Sequence, residues 1–415
     1  MNRPEMAEIE ALVTLAKDAE AFAPGFSVHL REWKSQLDEL RCADNIDALG
    51  KDRALDDLAI GLRAAWLGYV HQVCGGYLMS PPHEQPKFLP SGTSIQYDYD
   101  RSSRPDILEA RGAANIATPA GWDAMCMMFS SGMSALSTLI QVCALHLGGA
   151  NPATTPSLAM FGGYFETWRL LDTYRGPQLK VEFFSESQKF AGSIAQGGTD
   201  VVLIEPLAYD WNMAAFDLDS FADAWRRAGE RRPKVVFVDP SLTADLFNIG
   251  DLISAFGDTL PWLVGFVRSG LKLDQQGLEL ANVGIAELFT PSGPASPVEF
   301  GPLRERLTAN RSVMGTGLSV LETAALDSPW FLNREKAHAY SRKVFANNRR
   351  LAMAVKSDGG IFSRIAHPAL HDDDRPWAEA PFVVYHLRED TVVDHGKLVA
   401  ILAYEARARG LNFKL

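Results

Sequence analysis

Residues 262–272 read WLVGFVRSGLK, an almost unbroken apolar run that ends in Arg268, Ser269, Gly270, Leu271 and Lys272. A short apolar run bounded by a polar, glycine-containing loop suits a strand buried on both faces. Five other stretches have the same form: 125–129 (MCMMF), 157–161 (SLAMF), 180–184 (KVEFF), 201–205 (VVLIE) and 235–239 (VVFVD). Helical periodicity fits between them, over Met133 to Leu147, Glu166 to Tyr174 and Asp219 to Gly229. Such alternation predicts an α/β fold with a mostly parallel central sheet flanked by helices.

Outward from this core the pattern changes. The first 95 residues read as helical, with Leu55, Leu58, Leu62, Trp66, Tyr69 and Val73 on one stripe. The stretch 79–86 (MSPPHEQP) reads as an extended linker. A helical region spans roughly 300–356, with Leu307, Leu318, Leu321, Phe331 and Val344 as core candidates; a strand (Phe382 to His386) and a final helix (His395 to Arg409) follow. The expected organisation is a helical N-terminal arm over 1–95, a large α/β domain over 96–290 and a smaller α+β domain over 291–415. There is no internal repeat.

Bulk properties narrow the function. A net charge of −11 argues against a nucleic-acid partner, which demands a concentrated basic surface. No apolar run approaches the roughly 20 residues a membrane span needs. The start, Met1-Asn2-Arg3-Pro4-Glu5, lacks the layout of a signal peptide, so a cytoplasmic location is expected. Cys42, Cys74, Cys126 and Cys143 show no zinc-like spacing and read as reduced thiols. His367 and His371, followed by Asp372-Asp373-Asp374, read as a polar loop and not as a metal site.

Ligands of open α/β sheets bind outside the carboxyl ends of the strands. Asp239 ends one candidate strand, Ser269 and Lys272 follow another, and Ser130-Ser131-Gly132-Met133 follow a third and open a helix. Singly, these are a turn residue, a solvated lysine and a helix cap. Together they offer an amine, a carboxylate, and phosphate donors at a helix N-terminus, with Ser269 in reach of the phosphate. Pyridoxal 5'-phosphate (PLP) chemistry needs this set, together with a planar group over the cofactor ring.

The same residues resemble the Cys/Met-metabolism family of PLP enzymes, which includes the cystathionine γ-synthases and γ-lyases. The family's Tyr-x-Arg-x-x-Asn-Pro-Thr is similar to Tyr99-Asp100-Arg101-Ser102-Ser103-Arg104-Pro105-Asp106, and its Ser-Ser-Gly-Met stands at 130–133. Its Tyr-Gly-Gly-Thr resembles Phe161-Gly162-Gly163-Tyr164, its Val-Asp-Asn-Thr resembles Val238-Asp239-Pro240-Ser241, and its Ser-Ala-Thr-Lys resembles Ser269-Gly270-Leu271-Lys272. The order is preserved over roughly residues 95–350. The resemblance implies a fold-type-I architecture and Lys272 as the Schiff-base lysine. It implies Asp239 at the pyridine nitrogen, Phe161 stacked on the ring, and Ser131, Gly132, Met133, Ser241 and Ser269 around the cofactor. Tyr99 and Arg101 would reach the phosphate in a neighbouring subunit, making the active unit a homodimer or homotetramer.

The departures bear on the reaction. Phenylalanine at 161 keeps a stacking surface but lacks a phenol to protonate a departing thiolate. That points to γ-elimination or γ-replacement on an amino acid with a pre-activated leaving group, a halide or a sulfonium, in specialised biosynthesis. Tyr164 or Tyr209 are alternative sources of the hydroxyl. Tyr209, in the altered segment Glu205-Pro206-Leu207-Ala208-Tyr209, is a candidate partner of the cofactor's phenolic oxygen. The family's threonine before the lysine is Leu271, which removes one phosphate contact. The family's carboxylate-binding arginine lies beyond a Gly-rich stretch that would begin about at Gly410–Leu415, so either it lies past these residues or another arginine serves, with Arg311 and Arg375 as candidates. A conventional γ-lyase or γ-synthase, and an aminotransferase, are the alternatives within the PLP reading. A Ser269-x-x-Lys272 hydrolase lacks its Ser-Asp-Asn and Lys-Thr-Gly partners, and retention of Lys272 with Asp239 argues against a non-catalytic scaffold.

Overall fold

The computed structural model describes residues 4–43, 46–78, 87–95, 100, 103–144, 155–293, 296–355, 360–371, 375 and 377–410. The strands are β1 (Lys87–Phe88), β2 (Ser94–Ile95), β3 (Trp122–Phe129), β4 (Ser157–Phe161), β5 (Lys180–Phe184), β6 (Val201–Ile204), β7 (Val235–Val238), β8 (Leu263–Ser269), β9 (Gly284–Pro291), β10 (Phe362–Ala366) and β11 (Val384–Leu387). Seven of them form one sheet in the order β3-β9-β8-β7-β6-β4-β5. The neighbours from β8 to β5 run parallel, whereas β9 is antiparallel to both β3 and β8.

Side-chain alternation explains why these runs are apolar throughout. Val201, Leu203, Val235 and Phe237 point into one core with Met127, Phe129, Leu136 and Leu139. Their neighbours Val202, Ile204, Val236 and Val238 point into the other, with Phe190, Phe221 and Trp225. A period of two splits each strand between two helical layers, so neither face tolerates a polar residue. The α/β sandwich is therefore as expected.

β9 did not show in the sequence pattern. Glu287 and Thr290 interrupt its apolar character, and both are satisfied internally: Glu287 accepts from Arg268 Nη1 (2.8 Å), and Thr290 Oγ1 donates to the Trp262 carbonyl (3.0 Å). Helices Asp106–Asn115, Ser187–Gln196 and Ile249–Phe256 were also unanticipated.

The N-terminal segment forms helices Pro4–Phe22, Arg31–Cys42 and Ala48–Cys74. On the last, Leu55, Leu58, Leu62 and Trp66 are buried as expected, but Val70 and Cys74 continue the stripe while Tyr69 and Val73 are half-buried. The indole of Trp66 donates to the Ala325 carbonyl (2.9 Å) and that of Trp330 to Leu15 (3.1 Å). The helical region after residue 300 is three helices, Phe300–Met314, Val320–Leu326 and Arg334–Ala354, with Gly315 at φ 66° ending the first. Leu307, Leu318 and Phe331 are buried, while Leu321 and Val344 are half-buried. β10 pairs antiparallel with β11, and helix Val392–Arg409 follows. Among the described residues no helix is long and apolar enough to cross a membrane, and the four cysteines are unpaired.

Candidate functional site

Five strand ends meet at one edge of the sheet. Ser131–Met133 follow β3, Gly162–Tyr164 follow β4, Glu205 follows β6, Asp239 follows β7, and Lys272 lies in the turn after β8. This is the carboxyl edge of the parallel strands, where α/β proteins place their ligands.

A chain of contacts joins them. The backbone at Gly132 lies against Ser269, so that a Cβ there would stand 3.1 Å from the Ser269 nitrogen. The Ser269 N–H donates to Ser241 Oγ (2.9 Å), and the Ser241 N–H donates to Asp239 Oδ1 (2.9 Å). Ser131 caps helix Gly132–Leu139 by accepting from the Ser134 N–H (3.0 Å). The first helical bond runs from the Ala135 N–H to the Ser131 carbonyl, which leaves the Gly132 and Met133 amides without an intrahelical acceptor. They are a ready anion cradle.

Lys272 is exposed, and its Nζ lies 5.5 Å from the centroid of the Tyr164 ring. Burial pushes the Asp239 carboxyl up, while bonds from Ser241 and the charge of Lys272 pull it back. The Tyr164 hydroxyl donates to Glu166 Oε2 (2.7 Å), and its ring meets the edge of Tyr209 at 5.4 Å. Burial and the Glu166 carboxylate push the Tyr164 phenol well above its ordinary range. Tyr209 also contacts Phe382, with ring centroids 5.3 Å apart.

Phe161 lies elsewhere. Its ring is fully buried in the core, 5.3 Å from Phe216 and 6.0 Å from Phe190. The aromatic ring that faces Lys272 is Tyr164, three residues later. Arg311 is committed to Glu109 and the Met128 carbonyl, and Arg375 donates to the carbonyls of Ala215 (2.7 Å) and Phe216 (2.9 Å). Neither is placed as a carboxylate-binding group. Tyr99 and Arg101 lie outside the described residues.

Glu205 is a site residue that the sequence did not reveal. It is buried, and its carboxylate accepts from the amides of Gly163 (2.9 Å), Tyr164 (3.2 Å) and Tyr209 (3.1 Å). It thereby anchors both loops that carry the site's tyrosines. Burial and the nearby Asp239 carboxylate raise its pKa to about 7 despite these bonds. A carboxyl raised in the folded state binds a proton on folding, so its contribution is complete below the unfolded value and declines as pH rises through 7. The expected loss from pH 4.5 to above 7 is about 3 kcal/mol. Urea unfolding across that interval will show it, and Glu205→Gln will flatten the profile.

No protein-family model matches the sequence, and no curated protein matches it either. Solved structures do. A methionine γ-lyase from Micromonospora echinospora, CalE6 in its apo form, is 18% identical with a TM-score of 0.50, over 71% of this chain and 72% of that one. A cystathionine γ-lyase from yeast is 17% identical with a TM-score of 0.50, over 78% of each chain. The fold is that of the γ-lyases. At such identities the likeness extends to the architecture alone.

Proposed function

We propose that this chain is a PLP-dependent enzyme that carries out γ-elimination or γ-replacement on an amino acid whose γ-substituent already leaves readily, a halide or a sulfonium, in specialised biosynthesis. One observation carries the reading: the Lys272 amine, the Asp239 carboxylate and the amides of Gly132 and Met133 share one sheet edge, where contacts run from Gly132 through Ser269 and Ser241 to Asp239 and the amine lies over Tyr164.

The residues fit the cofactor's chemistry. Asp239 is a half-buried carboxyl on which Lys272 supplies positive charge, and it would face the pyridine nitrogen and hold its proton. The Gly132 and Met133 amides, with Ser131 and Ser269, would bind the phosphate. The Tyr164 ring would cover the cofactor face in the place expected of Phe161, and Tyr209 would meet its phenolic oxygen. When bound, PLP supplies an electron sink for the substrate's α-carbon. Lys272 would carry protons at the substrate's Cα and Cβ. Tyr99 and Arg101 would complete the phosphate site of a neighbouring copy in a homodimer or homotetramer. On this reading, residues 96–290 hold the cofactor, 291–415 form the smaller domain, and 1–95 serve as a stabilising arm.

The choice of leaving group follows from Tyr164. Its proton is already donated to Glu166, and its acidity is lowered. A phenol so held is a poor acid for a departing thiolate, whereas a halide or a thioether released from a sulfonium needs none. With PLP added, kcat/KM for a γ-chloro or γ-sulfonium amino acid is expected to exceed that for cystathionine, homocysteine or methionine by about 100-fold. Brisk turnover of any of the last three overturns the leaving-group assignment.

A further inference from the structure

The loop that carries Lys272 is closed by charges at its base. Arg268, one residue before the end of β8, donates through Nε to Asp274 Oδ1 (3.1 Å) and Oδ2 (3.3 Å), and its Nη2 stands 3.1 Å from Asp274 Oδ1. Its Nη1 donates to Glu287 of the antiparallel β9 (2.8 Å). The three side chains are only 16%, 16% and 22% exposed. One guanidinium therefore ties both ends of the five-residue stretch from Ser269 to Leu273 to a third point in the sheet.

Packing alone does not fix this base. A cavity of about 150 Å³ opens beside it, lined by Arg268, Leu273, Asp274 and Glu287 together with Phe247 and His338. A loop facing a void needs polar bonds to hold one conformation. Gln275 supplies a second tie, with Nε2 on the Gly270 carbonyl (3.0 Å) and Oε1 accepting from Leu280 (2.6 Å). Buried ion triads contribute little net stability, and in some proteins they fix one arrangement of the chain. The bidentate fork that does so here is a property of arginine that lysine lacks.

We infer that Arg268, Asp274 and Glu287 are positioning residues that hold the loop of Lys272 so that its amine stands ready for the cofactor aldehyde. This rests on the PLP reading above. Two carboxylates against one guanidinium also leave the clamp with one net negative charge at the base of the loop.

The full-length chain, with Asp274→Asn and Arg268→Lys, tests it in two ways. Deuterium exchange of residues 269–274 is read before PLP is added, and the visible band is titrated with PLP and with pH afterwards. Both variants are expected to exchange at least about tenfold faster and to need about tenfold more PLP for half-saturation, the equivalent of one charged hydrogen bond. Asp274→Asn, which removes a negative charge, will also lower the pH midpoint of the band, by about half a unit. Arg268→Lys, which keeps the charge, will leave the midpoint unchanged. The clamp is refuted if the variant that folds keeps wild-type exchange and half-saturation, or if the midpoint of Asp274→Asn does not fall. Absence of any band from the wild-type protein refutes the PLP reading instead, and exchange alone then decides the clamp.

Discussion

On addition of PLP, Lys272→Ala will lack the wild-type absorbance band, and it will lose at least about 10³-fold in turnover of an activated γ-substituted amino acid. The side chain has two tasks on this reading, covalent attachment and proton transfer, and alanine performs neither. The phosphate site proposed at Gly132 and Met133 is backbone, so it survives the substitution. The variant is therefore expected to bind PLP weakly, with the spectrum of the free aldehyde. Ser269→Ala is the companion measurement. It removes the hydroxyl that a Ser-x-x-Lys hydrolase would use, and it should keep the band. A Lys272→Ala protein that retains the wild-type band sinks the assignment.

Arg311→Ala will destabilise the protein by about 2–3 kcal/mol without touching the site's chemistry. Arg311 is 3% exposed, and it pairs with Glu109, itself 2% exposed. Its Nη1 also donates to the Met128 carbonyl (2.7 Å), while the Met128 N–H donates to Glu109 Oε1 (3.0 Å). The pair thus serves both polar groups of one residue near the end of β3. Removing the arginine takes away the buried one of the carboxylate's two cationic partners, leaving it the Met128 N–H and the half-exposed Arg304 (3.1 Å). Replacing both partners together, as Glu109→Leu with Arg311→Met, is expected to recover most of the loss. Urea unfolding of the three variants checks this, and a single-variant loss under about 1 kcal/mol contradicts it.

Six of the seven strands were legible because burial on both faces leaves an apolar run that nothing else in a chain of this composition imitates. β9 was not, because its polar side chains find partners inside the sheet. At the site, Asp239, Lys272 and the Ser131 cap could be read as polar residues placed just beyond strand ends. The aromatic ring proposed to cover the cofactor was harder to read. Motif comparison places it at Phe161, yet β4 keeps that ring in the core, and the chain turns only after it. Gly162, at φ +150°, makes the turn: a Cβ there would stand 2.4 Å from the Glu205 carboxyl carbon, so only glycine fits over that side chain. The same crowding hid Glu205, whose partners are backbone amides and leave no side-chain pattern.

The place of β9 has a consequence for how the protein is made. It is the strand through which β3 joins the rest of the sheet, and it is the last of the seven in sequence. During synthesis, the turn after β3 and the lysine loop after β8 have no common framework until residue 291 has left the ribosome. The nascent chain must keep the apolar β3 unpaired throughout that interval, so assembly is governed by distant pairings and is slow.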